Sequence, residues 1–169
     1  YGMGAALVDT EIEVDDAFLG SAGIDKGVMT LVDEARQDRL LELLDTHLVA
    51  SRRASGGSAA NSVIATSCFG GRAFYTCKVP DAERTMNTFL GISSTLSCAN
   101  LDEAALAASE FLYVEGYLVT SATGRAAAIA ARELAERNGV RTALSFSDPG
   151  IVAHFRDGLA DMIGPDGVD

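Results

Sequence analysis

The second half of the sequence alternates two kinds of segment, and this alternation limits the fold more than any other feature. Residues 111–114 form a short apolar run typical of a buried strand. Residues 121–139 form a long Ala-rich segment that opens with Ser and closes with Asn-Gly, as helices often do. Residues 141–146 predict a second strand, and residues 151–163 have helical spacing. Strands and helices in this order predict an α/β fold with a parallel, doubly wound sheet.

The first half contains extended runs that do not fit this parallel sheet. Residues 2–8 predict a buried first strand that ends at Asp9, whereas residues 10–14 alternate polar and apolar side chains like a half-exposed strand. We expect the alternating residues to belong to a second, small β layer. Further helices are predicted at residues 15–22, 33–44, 59–69 and 100–109.

The charge of the chain limits its partners. There are 13 Lys and Arg residues against 24 Asp and Glu residues, which gives a formal charge of −11. Nucleic acids and anionic membranes are bound by clustered basic side chains, so we expect no nucleic-acid and no membrane partner. The charge does not exclude a phosphate ligand, because backbone amides and one local Arg can hold it.

The cysteines and histidines indicate neither a disulfide framework nor a metal site. Cys68, Cys77 and Cys98 are odd in number and lack Cys-x-x-Cys spacing, so we interpret them as reduced thiols of a cytoplasmic protein. His47 and His154 are far in sequence from other metal ligands at useful spacing. We therefore predict no metal-binding residue in this chain.

Three carboxylates are predicted at one edge of the parallel sheet. Ligands of open α/β sheets bind outside the carboxyl ends of the strands. Asp9, Glu115 with Gly116, and Asp148 each follow a predicted strand. Such a carboxylate can accept hydrogen bonds from two neighbouring hydroxyls of a sugar. The alternative is that Asp9 only caps a turn.

Two adjacent glycines precede the predicted helix 59–69. Gly56 and Gly57 permit positive φ and a close approach of the backbone to a ligand. Asn61, about one turn into the helix, can both donate to and accept from a ligand hydroxyl. The alternative is a Gly-rich turn in which Asn61 serves as a local cap. The segment is not a Walker-type phosphate loop, because no Gly-Lys-Ser/Thr follows.

Arg84 stands directly before the predicted strand 85–90. A single Arg at the start of a strand is most often a solvated or ion-paired surface group. Its functional alternative is a guanidinium that meets phosphoryl charge. The residues alone leave both interpretations open.

These segments, taken in order, resemble the ribokinase-like (PfkB) carbohydrate and nucleoside kinases, and within them the adenosine-kinase-like branch. The resemblance runs over nearly the whole chain. Its most specific part is the combination of the Gly-Gly-x-x-x-Asn start of a helix with the run Pro-Asp-Ala-Glu-Arg-Thr-Met. The matching segments are residues 4–9, 26–32, 56–62, 69–71, 74–79, 80–86 and 113–117.

The resemblance implies a ribokinase-like, Rossmann-type fold of three layers with a small β-sheet lid. Residues 1–169 would be the amino-terminal part of one such α/β domain, and the carboxy-terminal half with the ATP site would be absent. The lid strands would come from about residues 10–14, 28–32, 74–79 and 85–90.

The resemblance also implies roles for single residues. Asp9 matches the carboxylate that grips sugar hydroxyls, and Asn61 matches the amide that completes the sugar site. Gly56 and Gly57 match a di-glycine hinge beneath the lid, and Glu115 matches a substrate-binding position at the rim of the sheet. Together they would bind the hydroxyl-bearing substrate.

The implied activity is ATP-dependent phosphorylation of a hydroxyl on a sugar or nucleoside. ATP and Mg²⁺ would be the cofactors, and Arg84 would approach the transferred phosphoryl group. The resemblance leaves open whether a monovalent cation is needed, whether the lid forms a homodimer, and which sugar or nucleoside is the substrate.

The sequence departs from the family in its catalytic signature. The run Gly-Ala-Gly-Asp, which carries the general base of these kinases, is absent, so no catalytic residue is assigned in this chain. The chain begins at Tyr1 inside a predicted strand and ends at Asp169 at the start of another, and we expect it to be incomplete. The alternative function is a non-catalytic sugar- or nucleoside-binding relative that lacks the phosphotransfer half.

A second departure concerns spacing. The family places several dozen residues between motifs such as residues 74–79 and 80–86, which are adjacent here. We expect residues to be missing from the sequence, with a break in the chain between Lys78 and Asp81. A relative shortened by a true deletion is the alternative.

Overall fold

The helices and strands were defined in a computed structural model, which describes residues 1–27, 29–50, 52–77, 87–88, 90–147 and 149–169. The strands are β1 (Gly2–Met3), β2 (Leu7–Glu11), β3 (Thr30–Leu31), β4 (Arg52–Gly56), β5 (Tyr75–Thr76), β6 (Asn87–Thr88), β7 (Phe111–Glu115) and β8 (Arg141–Ser145). The α-helices are α1 (Asp16–Ala22), α2 (Glu34–Leu44), α3 (Ser58–Cys68), α4 (Glu103–Ala107), α5 (Ala122–Asn138), α6 (Pro149–His154) and α7 (Arg156–Ile163).

The main sheet has the strand order β5-β1-β7-β8, and each neighbouring pair is parallel. Helices lie on both of its faces. On one face of β7, Leu112 and Val114 belong to a buried cluster with the alanines of α5. On the other face, the alternate residues Tyr113 and Glu115 contact Ser58 at the start of α3. The predicted doubly wound, parallel α/β sheet is therefore confirmed.

The predicted helix ends follow from ordinary capping chemistry. Asp15, Asp33 and Ser121 each cap a helix by accepting a hydrogen bond from a backbone N–H in its first turn. Gly23 and Gly139 end α1 and α5 in the left-handed conformation. Among the described residues, no helix is both long enough and apolar enough to cross a membrane.

The predicted first strand, residues 2–8, is wrong in its extent. β1 ends at Met3, and Asp9 lies in the middle of β2, which pairs antiparallel with β4, a strand that the sequence did not indicate. The break between the strands falls at Ala5. Its N–H and C=O bond to the side chains of Glu115 and Tyr75, so neither group takes part in a strand ladder.

Strands occur within three of the four ranges that were assigned to the lid, at Thr30–Leu31, Tyr75–Thr76 and Asn87–Thr88. Thr30–Leu31 within 28–32 pairs with Asn87–Thr88 within 85–90, in a sheet separate from the main one. The strand predicted at 10–14 instead spans Leu7–Glu11. The assignment of 74–79 to the lid is wrong for Tyr75–Thr76, because these residues pair with β1 in the main sheet. The junction between Lys78 and Asp81 lies outside the described residues, and the break expected there stays a prediction.

The predicted helix 151–163 is two helices. α6 starts at Pro149, since proline is well accommodated at the first position of a helix. Phe155 has a non-helical backbone and separates α6 from α7. Beyond α7 the chain returns to β8, where the N–H of Asp169 donates to the carbonyl of Thr142 at 2.9 Å.

Candidate functional site

A cavity of about 650 Å³ lies beside β2. Half of its twenty lining residues are apolar, and most of the lining comes from the chain between Leu7 and Met29. The polar residues at its wall include Asp9, Ser58 and Lys26. A cavity of this size can bury a small organic molecule while a few polar groups orient it. The apolar lining residues are Ala5, Leu7, Ile12, Val14, Phe18, Leu19, Ile24, Met29, Leu44 and Leu90.

Asp9 lies at the cavity wall and packs directly against Gly56. The two residues are on paired antiparallel strands, in which Leu7 stands opposite Gly56. A Cβ atom added to Gly56 would come within 2.7 Å of the Cγ atom of Asp9. Glycine is therefore needed at position 56 because the carboxylate of Asp9 occupies the space that a side chain would take.

Gly57 forms the start of α3 and has a conformation that suits glycine. Its φ of 94° lies in the left-handed half of backbone space. A Cβ atom at this position would also collide with the carbonyl group of Ala5, being only 3.3 Å from its carbon. The positive φ predicted for the glycine pair is confirmed at Gly57, whereas Gly56 is required by the nearby carboxylate.

Glu115 lies at the carboxyl end of β7 and has no exposed surface. Its Oε2 atom accepts a hydrogen bond from the N–H of Ala5 at 2.7 Å. Its Oε1 atom accepts from the N–H and the hydroxyl of Ser58, at 2.8 and 2.9 Å. The sequence placed Glu115 at the rim of the sheet as a substrate-binding residue. The structure places Glu115 at the cavity wall without exposed surface, and both carboxylate oxygens accept hydrogen bonds from protein donors.

Tyr75 holds the same turn from the other side. Its hydroxyl donates to the carbonyl of Ala5 at 3.0 Å. Burial raises the pKa of Tyr75 well above its usual range, and the negative charge of Glu115 raises it further. The hydroxyl therefore stays protonated and remains a donor. The backbone N–H and C=O of Ala5 are both bonded to side chains of the main sheet.

Three residues of this arrangement were not predicted from the sequence: Ala5, Ser58 and Tyr75. Ser58 carried a signal, because a Ser after paired glycines at the start of a helix can bond a neighbouring carboxylate. Ala5 takes part through its backbone alone, so its identity gave no indication. Tyr75 lies in a short strand whose partner became known only from the structure.

The remaining predicted residues are less closely grouped. Asn61 is exposed one turn into α3 and is not among the described residues that line the cavity. Its backbone N–H donates to the carbonyl of Gly57 at 3.0 Å. Arg84 and Asp148 lie outside the described residues, so their predicted roles stay predictions.

One polar group at the cavity was not anticipated. Thr10 lines the cavity and is only 7% exposed. Its hydroxyl has no hydrogen-bond partner within the described part of the chain. No cluster of three or more His, Cys, Asp or Glu side chains is placed to hold a metal ion among the same residues.

Solved structures similar to this chain are kinases. An adenosine kinase from Sinorhizobium meliloti matches with a TM-score of 0.86 and 28% identity, over 99% of this chain and 62% of its own. A probable sugar kinase from Rhizobium etli matches with a TM-score of 0.82 and 22% identity, over 99% and 62%. An adenosine kinase from Schistosoma mansoni, solved in complex with adenosine and AMP, matches with a TM-score of 0.76 and 14% identity, over 96% and 60%.

These comparisons confirm the resemblance predicted from the sequence and the α/β fold class. At 22% and 14% identity, the last two matches show the fold alone. The chain spans 62% of the length of the first two structures. No protein-family model matches the chain, and no curated protein matches it.

Proposed function

We propose that this chain, which has the ribokinase-like fold in common with adenosine kinases and a sugar kinase, forms the acceptor-binding part of a kinase. The kinase would use ATP to phosphorylate a hydroxyl of a sugar or nucleoside. Asp9, Gly56 and Gly57 would bind the acceptor, Asn61 would complete its site, and Arg84 would approach the transferred phosphoryl group. Glu115 would contribute at the cavity wall, where its carboxylate holds Ala5 and Ser58.

The observation that carries this proposal is the position of Asp9. Its carboxylate lies against Gly56 at the wall of a cavity of about 650 Å³, and Gly57, the N-cap residue of α3, lines the same cavity. An ionised carboxylate only accepts hydrogen bonds, and its two oxygens can bind two neighbouring hydroxyls. Glycine at position 57 lets the backbone approach such a ligand closely, and glycine at position 56 leaves room for the carboxylate of Asp9.

The lining of the cavity supports an acceptor with both polar and apolar parts. Asp9 and the buried hydroxyl of Thr10 supply polar contacts, whereas Phe18, Leu19 and Met29 supply an apolar surface. Burial of such surface contributes roughly 25 cal/mol per Å². A sugar ring or a nucleoside would use both kinds of surface.

Phosphoryl transfer needs little covalent chemistry from the protein. Catalysis consists mainly of positioning the acceptor, neutralising phosphoryl charge and excluding water. Among the described residues no three His, Cys, Asp or Glu side chains are grouped so that they could hold a metal ion. In our proposal ATP with Mg²⁺ is the phosphoryl donor, and the general base is supplied by residues outside this sequence.

Replacement of Asp9 tests the proposal directly. In the full-length protein we expect Asp9→Asn to weaken acceptor binding about ten- to a hundredfold, because a hydrogen bond to a charged group contributes roughly 1.5–3 kcal/mol. ATP affinity should stay unchanged. The measurements are calorimetric titration with each ligand and a coupled assay of ATP turnover with pentoses, hexoses and nucleosides.

The matched control is Glu13→Gln, which removes a negative charge at an exposed position four residues further along the chain. It should change neither affinity. Acceptor affinity that is unchanged in Asp9→Asn would mean that Asp9 is only a structural residue. Acceptor binding by the wild type without any ATP turnover would instead favour the non-catalytic binding relative.

A further inference from the structure

The carboxylate of Glu115 joins two segments that are distant in sequence. One is the turn at Ala5 between β1 and β2, and the other is the first residue of α3, Ser58. We propose that Glu115 is a positioning residue of the acceptor site, which fixes Asp9 relative to Gly57 without touching the acceptor. The identity of the acceptor in this inference rests on the proposed function.

Burial decides between positioning and direct contact. Glu115 is among the residues that line the cavity, but none of its surface is exposed. Both of its oxygens already accept hydrogen bonds from the protein, at 2.7 to 2.9 Å. Because none of its surface is exposed, an acceptor hydroxyl could reach this carboxylate only if Ala5 or Ser58 moved. The carboxylate is therefore engaged in holding the two segments.

A carboxylate is the side chain that this position requires. The three groups that face it, two N–H groups and one hydroxyl, act as donors toward it, so both oxygens must be acceptors. A negative charge next to the first N–H of α3 is also stabilised by the positive end of the helix dipole. An amide in the same place would present an NH₂ group to at least one of these donors.

Each held residue lies close in sequence to a residue of the acceptor site. Asp9 follows Ala5 by four residues within the same extended segment, and Gly57 directly precedes Ser58. The contact between the segments is also tight. A Cβ atom on Gly4 would come within 2.9 Å of the Cβ atom of Glu115. A shift of the carboxylate would therefore move the turn that leads into β2.

The first test is Glu115→Gln in the full-length protein. We expect the dissociation constant of the acceptor to rise about ten- to a hundredfold, because one charged hydrogen bond is lost and a donor faces another donor. ATP affinity should not change. The matched control is Glu110→Gln, the same substitution at an exposed glutamate just before the opposite end of β7, and it should change neither affinity.

Acceptor analogues that each lack one hydroxyl separate positioning from direct contact. If Glu115 positions the site, Glu115→Gln weakens the parent acceptor and every analogue by the same factor. If wild type and Glu115→Gln bind one analogue with equal affinity, Glu115 binds the hydroxyl that this analogue lacks, and the inference is overturned. Equal affinities for wild type and variant would overturn it as well.

Amide hydrogen exchange gives a readout that does not depend on the acceptor. In Glu115→Gln the N–H groups of Ala5 and Ser58 should exchange faster than in the wild type, with the helix α5 unaffected. This distinguishes the two proposals: a wild type that binds no acceptor refutes the proposed function, whereas unchanged exchange at Ala5 and Ser58 refutes the role of Glu115.

A milder variant keeps the inference testable if Glu115→Gln does not fold. Ser58→Ala removes the hydroxyl bond to Oε1 and keeps both amide bonds. We expect a loss of acceptor affinity of about two- to tenfold, the usual effect of one uncharged donor. A Ser58→Ala protein that binds the acceptor as tightly as the wild type would contradict the role of Glu115.

Discussion

Between β7 and α7 the helices lie directly on the parallel sheet, and the contact is made by small apolar residues. Ala127, Ala131 and Ala135 of α5 have at most 1% of their surface exposed and pack in the same cluster as Leu112. Around β2 the arrangement is different. There a cavity takes the place of a packed core, and the Glu115 carboxylate of the main sheet accepts hydrogen bonds from the β1–β2 turn and from the start of α3.

The two regions should therefore contribute differently to the stability of the fold and to ligand binding. Close apolar packing contributes to the free energy of unfolding wherever it occurs, and it leaves no room for a ligand. An open cavity contributes little to stability, and residues at its wall are held by a few specific contacts. We therefore expect substitutions in the packed region to lower stability and substitutions near β2 to lower acceptor affinity.

The largest effect on stability is expected for Leu112→Ala. Leu112 has no exposed surface and lies in the central strand β7. Loss of its side chain should lower the free energy of unfolding by about 2–5 kcal/mol, because a cavity remains. Urea unfolding of the full-length protein measures this. Leu43→Ala is the control, since Leu43 is 37% exposed and should cost much less.

The comparison between the two regions fails if Leu112→Ala also weakens acceptor binding of the folded protein. Calorimetric titration under conditions in which the variant remains folded decides this point. Equal losses for Leu112→Ala and Leu43→Ala would instead show that the packed region is less tightly held than its burial indicates.

A smaller effect on stability, with a larger one on binding, is expected for Gly57→Val. The positive φ of Gly57 should cost about 1–3 kcal/mol for a β-branched residue, and its Cβ atom would press against the carbonyl of Ala5. We expect acceptor affinity to fall about tenfold or more as the start of α3 moves. Thermal unfolding and acceptor titration measure the two effects separately.

Gly70→Val is a close control for this substitution. Gly70 has a similar φ of 83°, but a Cβ atom there would meet nothing within 4 Å. It should share the backbone strain and leave acceptor affinity unchanged. If Gly57→Val unfolds the protein while Gly70→Val does not, the glycine at position 57 is structural and not part of a hinge.

The same two regions differ in how far the sequence predicted them. The strands and helices after residue 110 follow from local signals, such as the caps at Ser121 and Gly139, and the structure confirms them. β4 was missed because Arg52–Gly56 has no alternating or apolar pattern, and it becomes a strand only by pairing with β2. Pairing between residues distant in sequence cannot be inferred from local propensity.

The candidate site shows the same limit. Asp9 and Gly57 were predicted from residue type and spacing, and both lie at the cavity. The link from Glu115 to Ala5 and Ser58 joins three separate segments, and two of its three donors are backbone N–H groups that any residue except proline could supply. Apart from the residue type of Ser58, a single sequence contains no signal for such a contact.

The smallest effect is expected for Tyr75→Phe, which removes one hydrogen bond to the Ala5 turn. At pH 7 we expect the free energy of unfolding to fall by about 0.5–1.5 kcal/mol, the usual contribution of such a bond. The pH dependence gives a sharper test, because the folded protein raises the pKa of Tyr75 above its ordinary value near 10. Above that value the unfolded chain loses the proton first, so the wild type should lose stability as the pH rises.

Tyr75→Phe lacks this proton, and its stability should therefore decline less steeply between pH 9 and about 11. Urea unfolding of both proteins between pH 9 and about 11 measures how steeply each free energy of unfolding declines. The difference between the two free energies at pH 7 is the internal control. Converging curves would show that the buried hydroxyl, held between Ala5 and the charge of Glu115, is part of the link between the two regions. Parallel curves would mean that the hydroxyl is solvated in the folded protein and that Glu115 alone holds the turn.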